Sequence, residues 1–171
     1  MFHELDISSP LGVLRLSEQN RKLTSLSFRD TKNRSEEIEF IDPAAQKNYP
    51  GELLIKAKDQ LAQYFSGQRT RFELDYELKG TEFEMKAWAV LSLIPYASTI
   101  SYQEQALKLG NKNYCRAVGQ ANKKNPLAII VPCHRVIGKD KSLTGYSCGT
   151  DLKDWLLCLE SGRTVDHLFS T

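Results

Sequence analysis

At Gly80 the periodicity of this chain changes, and that change limits what it can fold into. Before it, Arg71-Phe72-Glu73-Leu74-Asp75-Tyr76-Glu77-Leu78 alternates charged and apolar residues. That is the pattern of a strand with one wet and one buried face. After it, Thr81-x-x-Glu84 and Ser101-x-x-Glu104 are capping boxes, each opening a short helix. Pro95 stops the first, read over Phe83 to Ile94, and Gly110 stops the second. A third helix is read from Tyr114 to Lys123, capped by Asn113 and ended by Asn125-Pro126. The linker Gly110-Asn111-Lys112-Asn113 makes the second and third helices a helix-turn-helix candidate, although short helix pairs also occur in plain bundles.

The first eighty residues read as a small α/β unit. Strand candidates are Leu11 to Leu16 and Leu23 to Phe28, besides the alternating segment. Leu54, Ala57, Leu61 and Phe65 lie at helical spacing between Glu52 and Ser66, and Gly67 closes that helix. Residues 31–50 show no periodicity and contain Pro43 and Pro50, so they read as a loop. The expected domains are 1–79 and 80–171. A last helix, about Thr150 to Ser161, carries Leu152, Trp155, Leu156 and Leu159 on one face. Glu160 lies on the Leu156 side, either as a solvated end residue or as a partly buried carboxylate seeking a partner.

Charge is unevenly distributed. Residues 111–141 hold seven Lys/Arg against Asp140, so this segment is +6 within a chain of net +2. Such a segment suits a polyanion, or is simply a solvated surface. The N-terminus has no basic start followed by an apolar stretch, so no secretory signal is read. No segment is apolar for long enough to span a membrane. The four cysteines (115, 133, 148, 158) show no paired spacing and the three histidines are scattered. Reduced thiols and no zinc site are expected, in a cytoplasmic setting for a prokaryote or a nuclear one for a eukaryote.

Within the basic segment, an apolar run, Leu127 to Val131, reads as a strand leading into Pro132-Cys133-His134-Arg135-Val136. A thiol attacks as its thiolate, so a neighbouring imidazole and cations mark Cys133 as a candidate nucleophile; a buried inert cysteine is the alternative. On an extended segment His134 would point away from the Cys133 sulfur, so a bridging water is needed if it is to take the proton. Glu160 could orient that imidazole. A reactive thiol beside a DNA-binding element suggests chemistry on an alkylated base, which must be flipped out of the stack. Arg116, at the start of the third helix, is the candidate to fill the vacated space.

These residues resemble the O6-alkylguanine-DNA alkyltransferases, also called methylated-DNA–protein-cysteine methyltransferases. The likeness runs through Arg116-Ala117-Val118-Gly119, Asn125-Pro126, Pro132 to Gly138 and Leu143-Thr144-Gly145-Tyr146. It extends to Tyr64-Phe65-Ser66-Gly67, Gly80 to Phe83, Ile94-Pro95-Tyr96, Ser101-Tyr102, Lys153, Leu156-Leu157 and Glu160. The resemblance implies an N-terminal ribonuclease-H-like α/β domain and a mainly α, winged-helix-like C-terminal domain containing the helix-turn-helix.

It also implies a single-turnover repair reaction, in which Cys133 takes the alkyl group from O6 of guanine without a cofactor. Cys133, His134, a water and Glu160 would form the deprotonating relay, and Tyr102 would donate a proton toward the leaving guanine. Arg116 would be the intercalating finger, with Gln103, Asn111 and Lys139 also on the DNA. Asn125 would hold the turn before the acceptor, Tyr146, Ser147 and Val136 would form the base pocket, and Lys153 would brace its loop. The implied partner is double-stranded DNA carrying O6-alkylguanine, entered through the minor groove by a monomer. A non-catalytic lesion-binding protein of the same fold is the alternative, disfavoured because Cys133 is kept. A Cys-His hydrolase lacks a separate histidine, since His3 and His167 lie near the termini. The chain departs from the family pattern at Cys148, where glycine is usual. It departs again at Tyr114 and Cys115, where small residues are common, and at Ala97-Ser98, which replace a frequent Gly-Glu pair.

Overall fold

The computed structural model describes residues 2–41 and 51–163. It divides into two compact units, 1–78 and 79–171. In the first, strands β1 (Phe2–Ile7), β2 (Val13–Gln19) and β3 (Lys22–Asp30) form an antiparallel sheet in the order β1-β2-β3. Strand β1 was not read from the sequence. Its Leu5 and Ile7 are buried, but two apolar positions are too few for a periodic signal. Helix α1 (Glu52–Phe65) buries Leu54, Ala57, Leu61, Tyr64 and Phe65. These lie three or four residues apart, so one face of the helix is apolar. They share the core of this unit with Ile7, Leu14, Leu16, Leu23 and Leu26 of the sheet.

The alternating segment 71–78 is extended but is not a regular strand. It makes one isolated parallel bridge, Leu23 to Tyr76, through Leu23 N–H to Asp75 O and Glu77 N–H to Leu23 O. Beyond that bridge a side chain stands in for a strand. The amide of Gln60 on α1 accepts from Glu73 N–H at 2.8 Å and donates to Glu73 O at 3.2 Å. Period-2 patterning secured the burial of Leu74, but a helix side chain took the hydrogen bonds a neighbouring strand would have made. The loop read over 31–50 is irregular where described, apart from a bridge between Ile7 and Phe40; residues 42–50 lie outside the described residues.

The second unit is mainly helical: α2 (Glu82–Ser92), α3 (Tyr102–Lys108), α4 (Cys115–Lys123) and α5 (Thr150–Glu160). Two short parallel strands, β4 (Ile100–Ser101) and β5 (Val136–Ile137), join the helix-turn-helix to the segment after the acceptor motif. Both capping boxes form, at Thr81/Glu84 and Ser101/Glu104. The third cap does not form as expected. Asn111, not Asn113, supplies the side chain, accepting from Asn113 N–H at 2.9 Å. It opens a 3₁₀ turn, Lys112–Tyr114, that runs into α4. Asn111 is two residues upstream and reaches the exposed N–H of the turn, so the linker is tighter than the sequence suggests.

Three helices are locked by buried amides. Gln105 of α3 and Asn122 of α4 exchange hydrogen bonds at 3.0 and 2.8 Å, and Gln105 also donates to Ala87 O of α2 at 3.1 Å. Trp88 of α2 donates its indole N–H to Ala121 O of α4 at 2.8 Å. Polar pairs of this kind fix the orientation of α4 because each partner left alone would be a buried, unsatisfied group.

Gln60→Ala is expected to destabilise the chain by roughly 1–3 kcal/mol, because it leaves the Glu73 peptide groups part-buried without a partner. Urea unfolding followed by circular dichroism checks this.

Candidate active site

The apolar run before Cys133 is not a strand. Ile129 has φ +70°, and Ile130 N–H bonds back to Ala128 O at 2.8 Å, closing a γ-turn around a β-branched residue. That conformation is strained for isoleucine and persists only where packing enforces it. Here Leu127, Ile129 and Val131 are all buried, 1% exposed or less. Pro132 then closes an inverse γ-turn, with Cys133 N–H on Val131 O at 2.9 Å. Asn125 spans the whole turn: its amide N–H donates to Val131 O at 2.7 Å and its carbonyl accepts from Leu127 N–H at 3.1 Å. Four of the five residues of the run are buried, Ile130 only partly, a pattern the sequence cannot distinguish from a buried strand.

Cys133–Arg135 is likewise a 3₁₀ turn and not an extended segment. Cys133, His134 and Arg135 are all buried. The His134 Nε2–H donates to Glu160 Oε1 at 2.7 Å, and among the described residues Nδ1 has no hydrogen-bond partner. Burial lowers the affinity of His134 for a proton, outweighing Glu160, which favours the charged form; Arg135 and Lys153 oppose protonation further. The imidazole is therefore neutral at rest, with one nitrogen committed to Glu160 and the Nδ1 lone pair open. Its tautomer follows from this hydrogen-bond assignment.

Glu160 holds more than the histidine. Arg135 donates to it through Nε at 2.9 Å and Nη2 at 2.9 Å, and through Nη1 to Ile94 O at 2.7 Å. The backbone N–H of Ala97 also donates to Glu160 Oε2 at 3.1 Å. Burial favours its neutral acid form, but the hydrogen bonds from His134 and Arg135, with the positive charge of Arg135, win and push it down to about 2. Since His134 is neutral, Arg135 is the partner that balances the charge. The sequence reading counted Arg135 in the exposed basic segment; the structure removes it to the interior. The remaining cations of 111–141 are exposed, with Lys124 paired to Glu84 at 2.7 Å. Ala97 sits at φ +58°, in a turn closed by Ser98 N–H on Pro95 O, a position that favours glycine.

A second cluster surrounds Tyr102. Its hydroxyl donates to Thr144 O at 2.9 Å, and Lys153 Nζ donates to the same carbonyl at 3.1 Å and to the tyrosine oxygen at 3.4 Å. The fully buried Lys153 lies 5.5 Å from the Tyr102 ring and 6.0 Å from the Tyr146 ring. Gly145, at φ +83°, packs so close that a Cβ there would lie 2.6 Å from the Tyr102 hydroxyl. Only glycine fits this approach. Burial pushes the Tyr102 phenol up to about 12, the Cys133 charge adding to it, and burial pushes Lys153 down to about 8, against the pull of Cys133. Burial also pushes the Cys133 thiol up to about 11, with Asn125 and Lys153 favouring the thiolate and Cys148 opposing it. The resting sulfur is therefore a thiol, and reaction requires its proton to be removed.

The structure thus joins His134, Arg135 and Glu160 in one cluster and Tyr102, Lys153 and Tyr146 in another, with Cys133 adjacent to His134 in the chain and near enough to Tyr102 and Lys153 to act on both electrostatically. Val136 is fully buried beside the acceptor turn. Ser147 is exposed, its Oγ 3.7 Å from the Cys148 sulfur. Arg116 is exposed and shares an open concavity with Asn113, Ala117 and Gln120. Lys139 and Asn111 are exposed in turns, and Gln103 is half-buried on the first turn of α3. Sequence reasoning missed Arg135 as a buried partner and the Ala97 N–H. The signal for the first was present: an arginine adjacent to buried-looking Cys-His with only one distant carboxylate assigned. Among the described residues no group of three or more His, Cys, Asp or Glu could hold a metal ion, and no helix is long and apolar enough to cross a membrane.

Two family models match. Residues 82–162 match the 6-O-methylguanine DNA methyltransferase DNA binding domain, and residues 4–78 match its ribonuclease-like domain. The chain belongs to the 6-O-methylguanine DNA methyltransferase family. It is 42% identical to a methylated-DNA–protein-cysteine methyltransferase of Methanosarcina barkeri, over 95% of this chain and 99% of that one. It is also 42% identical to the constitutive enzyme of that name from Bacillus subtilis, over 89% and 91%. The crystal structure of Mycobacterium tuberculosis OGT in complex with DNA superposes with a TM-score of 0.82 at 39% identity, covering 98% of this chain and 99% of that one.

Two outcomes are expected of this site. Ala97→Gly should stabilise the chain by about 1 kcal/mol, by relieving the left-handed alanine, measured by thermal unfolding. Glu160 binds its proton more weakly folded than unfolded, so it adds stability above its ordinary value of 4.5 that is lost as pH falls toward about 2. Glu160→Gln should flatten that part of the acid-unfolding profile. At neutral pH it should cost roughly 3–5 kcal/mol, because Arg135 is left buried without its counter-charge.

Proposed function

We propose that this chain repairs O6-alkylguanine in double-stranded DNA by moving the alkyl group irreversibly onto Cys133. The observation that carries the reading is the His134 imidazole, fully buried, with Nε2 committed to Glu160 and Nδ1 open. That nitrogen takes the Cys133 proton through a bridging water, and Glu160 stabilises the imidazolium that results. The thiolate sulfur then attacks the alkyl carbon of a flipped guanine in line with the C–O6 bond. A sulfur–carbon bond forms, the carbon–oxygen bond breaks, and the electron pair leaves on the guanine.

Tyr102 limits charge on the departing ring. At about 12 its phenol stays protonated, and turning its O–H from the Thr144 carbonyl to the base supplies a proton toward the leaving group. Lys153, in contact with the same oxygen, can replace that proton. No cofactor is needed. The thioether is not reversed, so each molecule acts once as transferase and reagent.

Arg116 supplies the intercalating finger from α4, which enters the minor groove, and Gln103, Asn111 and Lys139 contact the DNA as a monomer docks. Tyr146, Ser147 and Val136 wall the base pocket, and Asn125 keeps the acceptor turn in place. The short side chains Ala117 and Gly119 beside Arg116 leave room for close approach of the helix to the groove.

Incubation with duplex DNA carrying O6-methylguanine should add one methyl mass to the peptide bearing Cys133, read by mass spectrometry; repaired DNA with unmodified Cys133 would overturn the mechanism. Cys133→Ser should abolish transfer while retaining DNA binding. Arg116→Ala should slow repair in duplex about tenfold, since helping to offset a flipping cost of a few kcal/mol is its role. It should slow transfer from a free-base substrate far less. An equal loss on both substrates would remove the finger assignment.

A further inference from the structure

Strand β2 breaks its own pattern near its end. Leu14, Leu16 and Glu18 alternate along it and are all buried, Glu18 being 5% exposed. Alternate residues share one face of a strand, so Glu18 puts a carboxylate where Leu14 and Leu16 put apolar side chains. Opposite it β3 is bulged at Thr24, where the pairing passes from Ser17 with Ser25 to Glu18 with Leu23. Bulges gather beside sites, where they re-aim side chains. Among the described residues Glu18 Oε2 is buried and accepts no hydrogen bond. A buried carboxylate left in that condition is costly unless something supplies the missing donor.

The carboxylate lies under the start of α1. A Cβ on Gly51 would be 2.6 Å from Glu18 Oε2 and 3.2 Å from Oε1, so glycine lets the helix begin directly over it. No side chain caps α1, and its first bonds run from Leu54 and Ile55 N–H to Gly51 O. The N–H groups of Glu52 and Leu53 therefore stay open among the described residues. The helix end offsets part of the cost of Glu18 without giving Oε2 a hydrogen bond. Glu18 and this end of α1 line a cavity of about 790 Å³ together with His3, Arg21, Lys56 and Asp75. That volume suits a small-molecule site. Among the described residues none of those four side chains is held in an ion pair, so charges of both signs face the space unpaired. Among the described residues no cluster could hold a metal ion, which leaves a nitrogen donor as the partner for Glu18.

We propose that this cavity binds a free basic α-amino acid: its ammonium donates to Glu18, its carboxylate takes the open N–H groups of Glu52 and Leu53, and its side chain lies along the acids of the rim, Glu52 and Asp75. An α-amino acid carries ammonium and carboxylate on one carbon, which matches the close approach of Glu18 to the start of α1. Lys56, one turn on from Glu52, adds its charge on the carboxylate side. The site lies wholly within the first unit and does not depend on the repair reading.

Isothermal titration calorimetry of the full chain with L-arginine tests this. Binding with Kd below about 1 mM is expected. Agmatine lacks the carboxylate and Nα-acetyl-arginine lacks the ammonium, and each should bind at least about tenfold more weakly, the loss of one charged hydrogen-bonded contact. Glu18→Gln should weaken arginine binding by a similar factor, and Lys56→Ala, at the exposed rim, by about threefold. Gly51→Ala should weaken it too, because the added methyl pushes the flexible end of Glu18 aside. Circular dichroism melts check that each variant is folded; if Glu18→Gln is not, the two arginine analogues and Lys56→Ala carry the test. Absence of arginine binding by the wild-type chain would overturn the proposal, as would equal binding of both analogues. Unchanged affinity in folded Glu18→Gln would overturn it as well, leaving Glu18 as a partner of the helix end alone.

Discussion

Glu160 is a carboxylate in the interior of the C-terminal unit, and the site is organised by what that charge requires. Removing a carboxylate from water is expensive, and a buried ion pair is tolerated only when its geometry is good and its remaining lone pairs are satisfied. Glu160 meets that condition with Arg135 Nε and Nη2, His134 Nε2 and the Ala97 N–H. Those donors come from two places in the chain, the 3₁₀ turn Cys133–Arg135 and the Pro95 turn after α2, and both converge on the end of α5. One charge therefore ties the last helix to the turn that presents Cys133. It also selects the imidazole tautomer, since Nε2 must donate and Nδ1 is then free to accept.

The second constraint is backbone. Presenting Cys133 at the end of an apolar segment takes two γ-turns, one around Ile129 in a left-handed conformation. Asn125 accepts and donates across the pair, and buried Leu127, Ile129 and Val131 hold it by packing. Strained backbone of this kind survives where the surroundings over-determine it. On the opposite side Gly145 lets the loop close on Tyr102, and Lys153 ties that loop to the tyrosine. The thiol thus lies in a turn held between two clusters, one built on Glu160 and one on Tyr102.

The placement of α4 depends on a third, separate network. The Gln105–Asn122 amide pair and the Trp88–Ala121 bond fix α4 against α2 and α3. This gives Arg116 a rigid base. Lys112, Lys123, Lys139 and Lys141 stay exposed, while Arg135, similar in sequence context, is withdrawn into the core. Burial thus divides the charge of one segment between the surface and the interior.

Much of this was legible in the sequence. Capping boxes at Thr81 and Ser101 are local, three-residue devices, so both helix starts were read correctly, as were α1 and α5 from their apolar spacing. The Cys133-His134 pair and the candidate Glu160 also followed from residue chemistry, whereas the bridging water was inferred from an extended segment that is in fact a 3₁₀ turn. Where the reading failed, the deciding contact was distant. Segment 71–78 alternates like a strand, but Gln60 of α1 satisfied its backbone. The run 127–131 is apolar like a strand, but Asn125 folds it into turns. Asn111 displaced Asn113 as a cap because a 3₁₀ turn brought a different N–H within reach. Arg135 looked like a surface cation until Glu160 was brought to it from 25 residues away. The sequence by itself determined the local elements and the chemical types at the site, because these depend on neighbours within a few residues. Only the tertiary structure decided which charges are buried and which nitrogen of His134 is free, because these depend on contacts between segments far apart in the chain.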